Sequence, residues 1–339
     1  MFLKVFLKSL VFISTFIFSN SEDFRVIGWY NGDQAGISNI PWEKYTHIVT
    51  GFPVQFPNGS IACNHNDTMT HTIVELAHEN NRVVQWRNSV DVIQAVFNNS
   101  AGEYRENFLN SLLGAMDDCN IDGIEFDFEW HYHFLDTIGI VLPKYADMYT
   151  DFLADVKSHI PNRIVSADIG MWGNGLPDGY PLGILPWINA TKFNAGAFDF
   201  VNSMSYHHPK NLSIDKWFVD AVIMDKVWKF NLSKVNLGLP YFSVNSSFFK
   251  INSESTWANY SHYCPNMPEE QNICNGITFV GKALNYAIGY SAVELGFGGV
   301  FPWTLNYDSF ENNNTLITYL YNGIVRHKTP YLNLNTNFI

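Results

Sequence analysis

The chain has 339 residues, enough for one large α/β domain. Hydrophobic residues make up 47% and charged residues 15%, which excludes disorder as the main state; the net charge of −12 argues against nucleic acid and anionic membrane as partners. Neutral ligands, sugars among them, stay open, and an aromatic content of 16% needs either a very aromatic core or a binding cleft.

Residues 1–21 read as a secretory signal. Lys4 and Lys8 give the positive start, Leu10 to Phe18 the apolar run, and Ser19-Asn20-Ser21 the small residues around a cleavage site. The run is too short for a membrane span, no later stretch approaches spanning length, and the last residues carry no lipid-anchor signal. Residues 22–339 read as one domain, without a linker, repeat or break in composition.

Within that domain short β-branched or aromatic runs alternate with helix-period segments. The runs are Arg25–Tyr30, His47–Phe52, Arg82–Trp86, Gly123–Glu129, Ile164–Ile169, Phe200–Tyr206, Val235–Tyr241 and Gly298–Trp303. Helices are expected over Tyr104–Asp118, Lys144–Ser158, Trp217–Lys229 and Gly281–Ala292. Eight strands alternating with helices give the count of a (β/α)8 TIM barrel, whose chemistry sits at the C-terminal ends of its strands. A doubly wound sheet would open with a Gly-rich phosphate turn, and Trp29-Tyr-Asn-Gly-Asp-Gln-Ala-Gly36 is not one.

Asn-x-Ser/Thr triplets begin at Asn58, Asn66, Asn98, Asn189, Asn211, Asn231, Asn245, Asn259 and Asn313. An Asn-rich chain makes some of these by chance, but beside an export signal they lead us to expect several glycans. Cys264 and Cys274 flank a loop-like stretch with two prolines and are the expected disulfide. Cys119, just before an apolar strand, reads equally well as a buried free thiol. There is no Cys-x-x-Cys and no pair of histidines at helical spacing, so no metal is expected.

The richest segment is Asp122-Gly-Ile-Glu-Phe-Asp-Phe-Glu-Trp130. Strand side chains alternate, so Glu125, Asp127 and Glu129 share one face and Ile124, Phe126 and Phe128 the other. In a barrel the apolar set faces the helices and three carboxyls line the interior. Like charges along one face raise one another's pKa. The last carboxyl is then kept protonated as a general acid while the middle one stays ionised, the pairing that glycoside hydrolysis requires. An exposed edge strand with a solvated acidic face is the structural alternative.

Asp122-x-x-Glu125-x-Asp127-x-Glu129 resembles the fourth-strand signature of glycoside hydrolase family 18, the chitinases and their relatives, with Glu125 where the family has Asp. The likeness extends over most of the chain: Val26-Ile-Gly-Trp-Tyr30 resembles the family's first strand, Met204-Ser-Tyr206 its sixth, Leu237-Gly-Leu-Pro-Tyr241 its seventh and Gly298-Gly-Val-Phe-Pro-Trp303 its eighth. The resemblance implies that Glu129 protonates the glycosidic oxygen. Asp127 would orient the substrate's 2-acetamido group, whose carbonyl is the nucleophile. Tyr206 would donate a hydrogen bond to that carbonyl, and Trp303 would carry the N-acetylglucosamine ring. Glu125 and Asp122 would be supporting carboxylates. Tyr30, Trp130 and Met204 are candidate further walls, although Tyr30 and Met204 fit ordinary barrel core as well.

Three departures from the family pattern stand out. Arg82-Val-Val-Gln-Trp-Arg87 lacks the Ser-x-Gly-Gly of the third strand, the inner Asp is Glu125, and the residue after Tyr206 is His207 rather than Asp. The segment Phe242–Phe279 is too short for the full α+β insertion domain of deep-cleft chitinases, which implies an open groove and internal attack. The expectation is therefore a secreted or lysosomal retaining hydrolase of N-acetylglucosamine-containing polysaccharide, working without a cofactor. Two alternatives are an endo-β-N-acetylglucosaminidase acting on N-glycan cores and a non-catalytic chitin-binding lectin; retention of Glu129, Asp127 and Tyr206 argues against the lectin.

Overall fold

The computed structural model describes residues 24–328 apart from 33, 88–89, 99–100, 130–141, 172–185, 207–212, 244–259 and 309–314. The signal-peptide expectation, Trp130, His207 and the sequons at Asn211, Asn245, Asn259 and Asn313 lie outside the described residues.

Eight parallel strands close into a barrel: β1 (Arg25–Trp29), β2 (His47–Val49), β3 (Val83–Arg87), β4 (Gly123–Phe126), β5 (Ile164–Gly170), β6 (Phe200–Met204), β7 (Val235–Pro240) and β8 (Gly299–Trp303). Each pairs with its neighbours in sequence, and β8 closes on β1 through Arg25↔Gly299 and Val26↔Val300. The expected (β/α)8 TIM barrel is therefore the observed fold. Around it run α1 (Thr68–Glu79), α2 (Ala101–Cys119), α3 (Pro143–His159), α4 (Ala190–Asn194), α5 (Asp215–Val222), α6 (Tyr260–Tyr263), α7 (Lys282–Glu294) and α8 (Leu316–Lys328).

Local chemistry accounts for the helix limits. Asp67 caps α1 by accepting from the Thr70 amide at 3.0 Å, and Thr70, Ile73, Val74 and Ala77 then recur at the spacing of one buried face. Pro143 opens α3, where its missing N–H costs nothing, and Lys157 and His159 sit in the last turn against the negative end of the helix dipole. Two connections depart from the sequence expectation. Between β1 and β2 the chain makes only 3-10 turns, Gln34–Asn39 and Trp42–Lys44. The helix expected over Trp217–Lys229 ends as α-helix at Val222 and continues as a π turn over Ile223–Val227.

Strand alternation sorts the packing. Ile124, Phe126 and Phe128 face outward as expected; the Phe126 ring meets Phe152 of α3 at 5.4 Å and Phe108 of α2 at 6.4 Å, both edge-on. The barrel interior is two-sided. Ile27, Trp29, Val49, Phe200, Met204, Tyr206, Phe242 and Phe301 form an apolar cluster on one side. Gln85, Glu125, Ser166, Asp168, Asn202 and Asn236 are buried polar residues on the other.

Both disulfides are formed. Cys264–Cys274 is the expected pair and clips a small antiparallel ribbon, Ile273–Cys274 with Ile277–Thr278, between β7 and β8. Cys119 is not a free thiol: it bridges to Cys63, tying the ribbon of Val54–Gln55 and Ile61–Ala62 to the end of α2. The partners are 56 residues apart, so neither sequence stretch advertises the other. Among the described residues no helix is long and apolar enough to cross a membrane.

Candidate active site

Pairing in β4 stops at Phe126, so Asp127 and Glu129 continue the strand direction beyond the sheet, at the C-terminal mouth of the barrel. Glu125 lies one step deeper and is fully closed to solvent, Asp127 is half-buried, and Glu129 is exposed. The acidic face expected from alternation is thus a ladder from dry interior to open mouth.

Glu125 is held from below by a directed chain. Arg25 Nε can only donate, and it donates to Asn236 Oδ1 at 2.8 Å. That leaves Asn236 Nδ2 to donate to Asn202 Oδ1 at 2.7 Å, and Asn202 Nδ2 to donate to Glu125 Oε1. The arginine therefore fixes the orientation of both amides. The partners come from adjacent strands in register, Asp168↔Asn202 and Asn202↔Asn236. A parallel contact joins Gln85 Nε2 to Ser166 Oγ at 2.8 Å.

The carboxyls raise one another. Burial, reinforced by the Asp127 charge and opposed by hydrogen bonds from Asp168 and Asn202, pushes Glu125 up to about 7. Burial raises Asp127, against the pull of a hydrogen bond from Asp168 and the charge of Arg87. Glu129 is exposed, but partial desolvation and the neighbouring Asp127 charge raise it too. A carboxylic acid raised by burial and a neighbouring carboxylate keeps its proton to higher pH than an isolated one, as a general acid must.

Tyr206, 7% exposed, continues the inward face of β6 past Met204. Its hydroxyl has no hydrogen-bond partner among the described residues, and burial keeps it neutral within electrostatic reach of Glu125, Asp127, Glu129 and Asp168. Gly238 makes room for it: a Cβ there would stand 3.0 Å from the Tyr206 ring and 1.9 Å from the Ser203 carbonyl. Trp303, at the end of β8, is half-buried, with Tyr206 at 6.2 Å and the edges of Phe242 and Tyr307 at 5.5 and 5.9 Å. The peptide bond that follows it, Trp303–Thr304, is cis. Met204 lies in the same cluster, 7% exposed.

Two sequence assignments do not belong to this site. Tyr30 is 0% exposed and packs in the outer core with Val26 and Tyr45; it has the parity of Val26 and Gly28, which point away from the barrel axis. It is core, not a wall. Asp122 has the parity of Ile124 and lies at the opposite end of β4, where its carboxylate accepts from the Val84 amide and faces His78 Nε2, each at 2.8 Å. It joins strand to helix at the barrel's N-terminal end and does not support the carboxyl cluster.

Sequence reasoning missed Asp168 and Arg87. Asp168, on β5 and 2% exposed, brings a further carboxyl within hydrogen-bonding reach of Glu125 and Asp127. Arg87, opposite Glu125 in register, occupies the end of β3 where the Ser-x-Gly-Gly pattern is absent. Its guanidinium donates to the Tyr30 carbonyl at 2.9 Å and stacks over Phe52 at 4.8 Å, the nearest cation to Glu125 and Asp127. The inward parity of both residues was the available signal.

One cluster elsewhere has metal-ligand types: Cys63, His65 and His71 place ligand atoms within 4.8 Å of one another. The Cys63 sulfur is committed to Cys119, His65 is paired with Asp118 at 3.0 Å and His71 with the Asn64 carbonyl at 3.1 Å. No thiolate is on offer there, and the donor set does not fit a structural metal.

Comparison with known proteins agrees with this fold. The chain resembles in fold a chitinase from Bacteroides thetaiotaomicron (TM-score 0.68, 18% identity, covering 90% of this chain and 97% of that one). It also resembles the chitinase ChiB of Flavobacterium johnsoniae (0.65, 18%, 89% and 94%) and the Group IV chitinase of Ostrinia furnacalis (0.63, 14%, 89% and 100%). A search of curated protein sequences returns no match. The sequence model of glycosyl hydrolases family 18 matches residues 25–308, which span the whole barrel and every group of the carboxyl cluster, and the chain belongs to that family.

Proposed function

We propose that this protein is a secreted retaining hydrolase of β-1,4-linked N-acetylglucosamine, acting on chitin or chito-oligosaccharides with the substrate's acetamido group as nucleophile. The observation that carries the reading is the placing of Glu129, with its raised pKa, next to a more deeply buried Asp127 at the barrel mouth. Glu129 is open enough to reach a glycosidic oxygen and holds its proton to higher pH than an ordinary glutamate. Asp127, anionic beside Arg87, accepts from the acetamide N–H and so points its carbonyl oxygen at the anomeric carbon. The unpartnered Tyr206 hydroxyl donates to that carbonyl oxygen and Trp303 offers a flat apolar face to the ring. As the C–O bond breaks, the Glu129 proton passes to the leaving hydroxyl. Glu129, now a carboxylate, then takes a proton from the water that opens the cyclic intermediate. Metal chemistry is not needed for any of these steps. Two formed disulfides favour an oxidising compartment and so support export.

The test is hydrolysis of a fluorogenic chitobiose, chitotriose and a high-mannose glycopeptide side by side, with the first-formed product anomer read by NMR. Release from the chito-oligosaccharides with the β-anomer first is expected. Cleavage of the glycopeptide alone would reassign the enzyme to N-glycan cores, and the α-anomer first would end the acetamido mechanism.

A further inference from the structure

The carboxyl cluster holds more negative charge than its surroundings can accept. Glu125 and Asp168 are 0% and 2% exposed, and Asp168 lies within hydrogen-bonding reach of both Glu125 and Asp127. Glu125 Oε2, Asp127 Oδ1 and Asp168 Oδ1 have no donor among the described residues. The donors and charges that face the cluster are few. From β1 comes Trp29, whose indole acts on Glu125, and from β6 come Asn202, whose amide is directed at Glu125, and the neutral Tyr206. Tyr149 of α3 is also neutral and donates to the Phe126 carbonyl. Arg87 of β3 is the one nearby cation among the described residues, and it acts on Glu125 and Asp127 rather than on Asp168. Glu129, at the mouth, brings no positive charge to the cluster. Two carboxylates that each meet a third, with one cation between them, cannot all stay ionised where water is largely excluded.

We propose that Asp168 is a positioning residue that enters the reaction as a neutral acid, its single O–H serving the Glu125 and Asp127 oxygens that Asn202 does not reach. The proton sits there because Asp168 is the member without the cation. Burial and the two neighbouring charges agree, pushing it well above the ordinary carboxylate range. One O–H has two waiting acceptors, so Asp168 links the deep carboxyl to the one that handles substrate and keeps Asp127 anionic and aimed. The catalytic part of this inference rests on the proposed hydrolase reading; the proton itself does not.

The two are separated by reading the proton without substrate. Infrared spectra of the intact protein at about pH 8, where an ordinary carboxyl is ionised, should show a protonated-carboxyl band in wild type that is missing in Asp168→Asn. A wild-type spectrum without that band, or a band that persists in Asp168→Asn, overturns the proposal whether or not any sugar is cleaved. In kinetics, Asp168→Asn keeps an N–H donor and should hold kcat within about 10-fold, whereas Asp168→Ala should lower kcat about 100-fold with KM little changed. Equal effects of the two substitutions, or none from either, would contradict a donor role.

Discussion

The rings of Tyr206, just past β6, and Trp303, at the end of β8, lie 6.2 Å apart and 33° from parallel. Tyr206 cannot be moved without moving Trp303, so the polar half and the apolar half of the proposed site are mechanically joined. Tyr206→Phe retains that packing and removes only the hydroxyl. It should lower kcat about 100-fold with KM changed little, because the lost hydrogen bond strengthens only as charge develops on the acetamido oxygen. Steady-state kinetics on fluorogenic chitobiose measures it.

Trp303→Ala should act on binding. Loss of the stacked face should weaken chitotriose binding about 10-fold, equivalent to ~1.4 kcal/mol, and raise KM in proportion. Titration calorimetry with an enzyme made inactive at Glu129 reads binding without turnover.

The pKa shifts fix the direction of the pH responses. In the proposed mechanism Glu129 works protonated, and its pKa is raised, so activity should fall as pH rises through that raised value. Asp127 must be ionised, and activity falls again as pH drops through its own raised value, giving a bell in kcat/KM. Stability follows one sign. Glu125 titrates near 7 when folded against an ordinary 4.5, so the folded state binds the proton more tightly. Its contribution is full below about 4.5 and lost as pH rises through about 7. Melting temperature should therefore decline over that window, and Glu125→Gln should flatten the decline in a calorimetric series.

The disulfides make a separable prediction. The chain-entropy model gives about 4 kcal/mol for the 56-residue Cys63–Cys119 loop and about 2.7 kcal/mol for the 10-residue Cys264–Cys274 loop. Replacing Cys63 and Cys119 by Ala together should cost more in a urea titration than replacing Cys264 and Cys274.

How legible all this was depended on whether a feature is local. The eight strands were visible because each is a short apolar run, and Glu125, Asp127 and Glu129 because alternation acts within one strand. The same alternation, applied to Tyr30 and Asp122, assigns both to the outer face; motif likeness had outweighed it. Asp168 stands alone in an apolar run, and its meaning exists only across strands, beside Glu125 and Asn202. Arg87 was read for what its strand lacked rather than for the cation it brings. Cys119 needed a partner that only the folded ribbon supplies.

Glu129→Gln is the most direct measurement of the central claim, because it keeps the shape of the group at the barrel mouth and removes its proton. With chitotriose as substrate kcat should fall at least about 100-fold, with binding of the oligosaccharide retained. Turnover within a few-fold of wild type would contradict it.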